Sequence, residues 1–197
     1  MTLVFATNNI NKVKEIRSAL EAGFEIISLK EAGIDKEIPE PHDTLEANAT
    51  EKSKTIFELT GRDCFSEDTG LEVDALGGAP GVKSARYANG EPQYADNIAK
   101  LLDKMKGIAN RKARFRTVIS LIMNGKETLF EGVCEGHITE ERIGTEGFGY
   151  DPIFIPEGAG QTFAEMPLDE KKKMSHRTRA LVQLIDWLKK EQQPAAG

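Results

Sequence analysis

The chain has 197 residues, 39% of them hydrophobic and 29% charged, which is enough to bury one sizeable core in an ordinary water-soluble domain. Its net charge of −6 repels nucleic acid, so DNA or RNA would need a local basic patch to be a credible partner. No apolar run approaches the roughly 20 residues of a membrane helix. The opening MTLVFATNNINKVKEI lacks the basic n-region of a secretory signal, and Cys64 and Cys134 match no zinc spacing. A cytoplasmic protein with two buried free thiols is expected.

TLVFA (2–6) is a short apolar strand, and NKVKEIRSALEA (11–22) is a helix with Val13, Ile16 and Leu20 on one face. Residues 24–29 form a second strand, followed by a loop in which Pro39 and Pro41 exclude regular structure. A helix then starts near Asp43, with Glu46 completing a capping box, and stops at Gly61. DCFSED (63–68) is the next strand, and TGLEVDALGG (69–78) is a turn followed by a short strand. After a Gly-rich loop, residues 92–106 form a helix. Residues 113–138 are a hairpin around Asn124-Gly125. GTEGFGYDPIFIPEG (144–158) is an irregular loop enclosing a short strand, a short helix spans 167–173, and an amphipathic helix runs from Ser175 to Lys190. The pattern predicts an α/β protein with a mixed sheet, one domain over 1–190 and a frayed tail over 191–197.

Four stretches carry chemistry, and each has a plainer alternative. ATNNINK, between strand and helix, offers amide groups, Thr7, Asn9 and Lys12 to an anion, while Asn8 and Asn9 tolerate the left-handed conformations of such a loop. The alternative is a simple turn with Asn11 as N-cap and Lys12 solvated. Thr44, Asn48 and Lys52 form a polar stripe beside the apolar row Leu45, Ala49 and Ile56, as a cleft wall or as solvated surface. SEDTGLEVD packs Glu67, Asp68, Glu72 and Asp74 into nine positions. Asp68 at a strand end, with Glu40 on its stiff loop, suits Mg²⁺, which takes a few carboxylates plus water and phosphate oxygens. Glu72 and Asp74 are better read as turn caps or partners of Arg86 and Lys83. In DEKKKMSHRTRAL, Ser175 is an N-cap with Thr178 at N3, placing His176 and Arg177 in the first helical turn. Cations there oppose the helix dipole unless an anion or polar ligand compensates, the plainer alternative being a basic surface patch with a casual histidine. GGAPGVKS is not a P-loop, because Val82 stands where the pattern requires glycine. Residues 77–81 are instead a tight loop positioning Ser84, Arg86 and Tyr87.

In order, ATNNINK, EDTGLEVDALGGAPGVKSARY, GTEGFGYDPIF and SHR resemble the inosine triphosphate pyrophosphatase family over nearly the whole chain. The resemblance implies an elongated mixed β-sheet flanked by helices, two lobes with a nucleotide cleft between them, and a homodimer. It implies Mg²⁺-dependent hydrolysis of ITP, dITP or XTP to monophosphate and pyrophosphate. It assigns Thr7, Asn8, Asn9, Lys12, Lys52 and Thr69 to the phosphates, Glu40 and Asp68 to the metal, and Asp68 as general base. Phe148, Gly149, Tyr150, Asp151, Lys171, His176 and Arg177 are assigned to base and sugar. Glu67 stands where the family often has aspartate, and Thr69 where serine is common. On this reading the N–H donors of His176 and Arg177 suit a 6-oxo purine and disfavour the amino group of adenine, with Phe148 or Tyr150 stacked on the ring. The exclusion of guanine has no evident residue. A pyrophosphatase for modified pyrimidine nucleotides, as in septum-inhibitor-like relatives, and a non-catalytic nucleotide sensor are the alternatives.

Overall fold

The computed structural model describes residues 1–20 and 23–191. The last two positions of the expected first helix, 21–22, and all of the expected tail except Glu191 lie outside the described residues. Among the described residues, seven strands form one mixed sheet in the order β2-β1-β3-β5-β6-β7, with β4 paired to β3. β1 (Thr2–Phe5) pairs in parallel with β2 (Glu25–Ser28) and with β3 (Cys64–Val73). Helices α1 (Ile10–Ala19) and α2 (Leu45–Thr60) lie in these crossovers. The remaining ladders, β3 with β4 (Pro80–Gly81), β3 with β5 (Lys112–Met123), β5 with β6 (Lys126–Ile138) and β6 with β7 (Phe154–Pro156), are antiparallel. Helices α3 (Asn97–Lys104), α4 (Leu168–Met174) and α5 (His176–Glu191) complete the fold.

The hairpin is as expected. Asn124 and Gly125 both take positive φ, at 50° and 74°, and set the register in which Met123 faces Lys126. Other boundaries differ for identifiable reasons. The first helix is capped by Asn9, not Asn11: Asn9 Oδ1 accepts from the Asn11 and Lys12 N–H groups. The second is capped by Thr44, whose hydroxyl accepts from Ala47 N–H, while Glu46 turns away to pair with Arg116. The third starts only at Asn97, where the Asp96 side chain accepts from Ala99 N–H.

β3 is one ten-residue strand, not a strand, a turn and a second strand. β5 pairs with it throughout, from Cys64 opposite Ile122 to Val73 opposite Ala113. Gly70 in mid-strand lets β4 come in against β3, because a Cβ there would sit 2.6 Å from the Gly81 carbonyl oxygen.

The long strands cross two apolar clusters. One contains Phe5, Ile16, Phe65, Ile119, Leu121 and Leu184. The other contains Leu71, Val73, Leu101, Phe115, Phe154 and Phe163. The acidic stretch of β3 lies between them in sequence: Phe65 belongs to the first cluster and Leu71 to the second. This is the elongated, two-lobed arrangement expected.

Candidate functional site

A cavity of about 910 Å³ lies where the β1–α1 loop, the 35–40 segment, α2, mid-β3, the 148–152 turn and the α4–α5 junction meet. Every residue assigned to phosphate, metal, base or sugar lines it, including Asn8, Thr69, Gly149 and Lys171, whereas of the polar stripe on α2 only Lys52 does and Thr44 and Asn48 do not.

One end is built by the β1–α1 loop. Asn9 caps α1, Thr7 Oγ1 accepts from Asn9 N–H, and Asn8 Nδ2 donates to the Lys36 carbonyl. The loop thereby presents a helix N-terminus to the cavity, a favourable place for anionic oxygens. Lys12 is not solvated: its ammonium lies 3.1 Å from Glu67 Oε1.

Glu40 and Asp68 converge on Lys52. The ammonium lies 2.5 Å from Glu40 Oε1 and 3.4 Å from Asp68 Oδ1. Arg86 holds the other side of Glu40, donating to its backbone carbonyl at 3.1 Å and lying 3.5 Å from Oε2. Ser84 Oγ accepts from Leu71 N–H and donates to Gly81 O, so the tight 77–81 loop does position this segment. Burial raises the Asp68 carboxyl above its ordinary value; Lys52 opposes the shift and the Glu40 charge reinforces it. At Glu40 burial also pushes upward, but Lys52, with Lys12 and Arg86, outweighs it and keeps the carboxyl below its usual range. No cluster of three or more His, Cys, Asp or Glu is placed to hold a metal among the described residues. Two carboxylates meeting on one cationic group nevertheless match Mg²⁺, which completes its shell with phosphate oxygens and water.

The opposite wall is a buried chain of alternating charges. Arg177 Nε and Nη2 donate to the two oxygens of Glu67 at 2.8 and 2.9 Å, and Nη1 pairs with Glu15. Glu15 Oε1 lies 2.5 Å from Lys171, which is also 2.5 Å from Asp151. Asp151 Oδ2 in turn accepts from Phe148 N–H. Glu67 is held well below the usual carboxylate range: burial opposes this, but Arg177 and Lys12 prevail. The expected conflict of Arg177 with the α5 dipole is thus relieved by two carboxylates.

This wall corrects two expectations. Arg177 spends both Nη2 hydrogens, the Nε hydrogen and one Nη1 hydrogen on Glu67, Glu15 and Thr69, so a single N–H is left for a ligand. Tyr150 is buried with its hydroxyl donating to Ser84 O, which leaves the half-buried Phe148 as the available ring face. His176 remains. Its ring stacks on Phe115 with centroids 4.6 Å apart, and its Nδ1 is buried without a hydrogen-bond partner. Burial, then the nearby Arg177 and Lys171, holds it neutral, with its pKa well below the ordinary value.

Glu72 and Asp74 play no part in the cavity lining. Glu72 pairs with Arg114 at 2.6 Å, not with Arg86 or Lys83, and Asp74 opens a 3₁₀ turn. Glu15 escaped sequence reasoning. The one available signal was a carboxylate three residues after Lys12 and next to the apolar position Ile16.

A model of the Ham1 family matches residues 3–187. A dITP/XTP pyrophosphatase of Flavobacterium johnsoniae is 50% identical over 188 residues, covering 95% of this chain and 98% of that protein. One from Porphyromonas gingivalis is 52% identical over 188 residues, with 94% and 96% covered. Among solved structures, the Staphylococcus aureus Ham1 protein has a TM-score of 0.85 at 34% identity, covering 98% of this chain and 100% of that one. A HAM1 protein from Coxiella burnetii has a TM-score of 0.86 at 35% identity, with 96% and 99% covered.

Proposed function

The chain belongs to the Ham1 family, and from that membership we propose that it is a single-domain hydrolase of non-standard purine nucleoside triphosphates. Its substrates are dITP, ITP and XTP, its products the monophosphate and pyrophosphate. The observation that carries this reading is the convergence of Glu40 and Asp68 on Lys52, inside one cavity that has a helix N-terminus at one end and His176 and Phe148 at the other.

In this reading the triphosphate lies along the α1 N-terminus, with Thr7, Asn8, Asn9 and Thr69 donating to its oxygens and Lys12 and Lys52 countering its charge. Glu40 and Asp68 would hold Mg²⁺, which when bound would supply positive charge at the phosphates. Asp68 accepts a proton from the attacking water, whose oxygen bonds to the α-phosphorus as the bond to the bridging oxygen breaks and pyrophosphate leaves. The base lies on Phe148, with Gly149, Tyr150 and Asp151 forming the turn around it and Lys171 steadied by Asp151. Neutral His176 has one N–H to give to a 6-oxo group, and the one free N–H of Arg177 adds a second. A 6-amino group would leave those donors unpaired. A homodimer, to be checked by light scattering, and a cytoplasmic location beside the triphosphate pool belong to the same proposal.

The test is Mg²⁺-dependent turnover of dITP, ITP, XTP, ATP, GTP and dTTP, with pyrophosphate separated from orthophosphate. Pyrophosphate should come mainly from the first three, and Asp68→Asn should lower kcat by about 10²-fold or more while the protein stays folded. Orthophosphate as primary product, or preference for dTTP, would refute the reading.

A further inference from the structure

Asn48 lies on α2 one turn before Lys52 and is fully buried. Its Oδ1 accepts from His42 N–H at 3.0 Å. Its Nδ2 donates to the His42 carbonyl at 3.2 Å and to Asp68 Oδ2 at 3.3 Å. The orientation of the amide is therefore forced. A backbone N–H can only donate, so the atom facing it must be the oxygen, and the NH₂ group must face the His42 carbonyl and Asp68.

We infer that Asn48 is a positioning residue for the hydrolytic step: it fixes Asp68 Oδ2 and the segment that carries Glu40 in one mutual geometry. The inference rests on the role proposed for Asp68. His42 lies two residues after Glu40, and Pro39 and Pro41 flank that glutamate, so holding His42 at both backbone groups restricts Glu40 as well. Asp68 has two side-chain partners among the described residues. Lys52 takes Oδ1 and Asn48 takes Oδ2. Lys52 is shared with Glu40 and expected near the phosphates, so its position answers to the ligand. Asn48 is uncharged, lies outside the cavity lining, and has both amide hydrogens and its oxygen committed within the protein. It is the group that can keep Asp68 oriented while charges around it rearrange.

The experiment compares the unaltered chain with Asn48→Ala and Asn48→Ser, both uncharged, in dITP turnover, in Mn²⁺ affinity by electron paramagnetic resonance, and in melting temperature. A positioning role lowers kcat and weakens Mn²⁺ binding, each by about 10–100-fold, with KM for dITP little changed. Variants that melt lower but keep kcat and Mn²⁺ affinity would make Asn48 a loop anchor and overturn the inference. Should the unaltered chain not hydrolyse dITP while the variants still lose Mn²⁺ affinity, the proposed reaction falls and with it the claim for the hydrolytic step, leaving Asn48 only as the residue that fixes Asp68 and Glu40 for cation binding.

Discussion

Glu67 is 2% exposed and remains ionised because Arg177 and Lys12 meet both of its oxygens. Taking a charge out of water is costly, and the cost is recovered only while the partners are present. Removing the carboxylate in Glu67→Ala takes the ion-pair partner from Lys12 and leaves the enclosed Arg177 with Glu15 in place of two carboxylates, and should cost about 3–5 kcal/mol in urea unfolding. His176 gives the complementary case. Its native imidazole is neutral, whereas the unfolded chain takes up a proton below the ordinary value of 6.5. The unfolded state then binds more protons, so this contribution to stability is fully present above pH 6.5 and is lost as pH falls. The slope approaches about 1.4 kcal/mol per pH unit for one proton. Unfolding measured between pH 7 and 5 should show this decline, and His176→Gln should flatten it.

At the level of elements, the site depends on how closely α5 approaches β6. A Cβ on Gly132 would stand 2.0 Å from the His176 carbonyl oxygen and 2.5 Å from the Ala180 nitrogen, both backbone atoms that cannot swing aside. Glycine is required there for close approach rather than for a turn. Arg179 and Gln183 fasten the same helix to the strand, donating to the Val133 and Glu131 carbonyls. Gly132→Ala must therefore push away the first turn of α5, which carries His176 and Arg177. It should cost about 1–3 kcal/mol or more by overpacking and raise KM for dITP, as calorimetry and steady-state kinetics would show.

For the molecule as a whole, two apolar clusters share β3, β5 and β6, and the charged residues occupy the gap between them. Ionisable groups tolerate burial there because they face one another across the gap: Lys171 reaches Glu15 across 156 residues, and Arg177 reaches Glu67 across 110. No helix among the described residues is long and apolar enough to cross a membrane. The N-terminal strands are parallel because helices carry the chain back between them, and β5 and β6 are antiparallel because a two-residue turn joins them.

By itself the sequence determined whatever depends on neighbours along the chain. Apolar periodicity marked β1, α2 and α5, and Asn124-Gly125 marked the hairpin. Resemblance to the family's motifs marked the assigned residues from Thr7 to Arg177, all of which line the cavity, but not other parts of its lining such as Asp96, Asn97 and Arg142. Tertiary structure alone decided which charges meet and which donors remain free. Nothing local shows that β5 would carry β3 unbroken through Thr69-Gly70, because the hydrogen bonds that do so come from more than 40 residues away. Nor does the local pattern show Glu67, Glu15 and Thr69 consuming all but one of the donors of Arg177, or the amide of Asn48 turning toward Asp68. A side chain's chemistry is written in its residue type, whereas its partner is chosen by burial, which excludes water and leaves only the groups that the fold brings within hydrogen-bond reach.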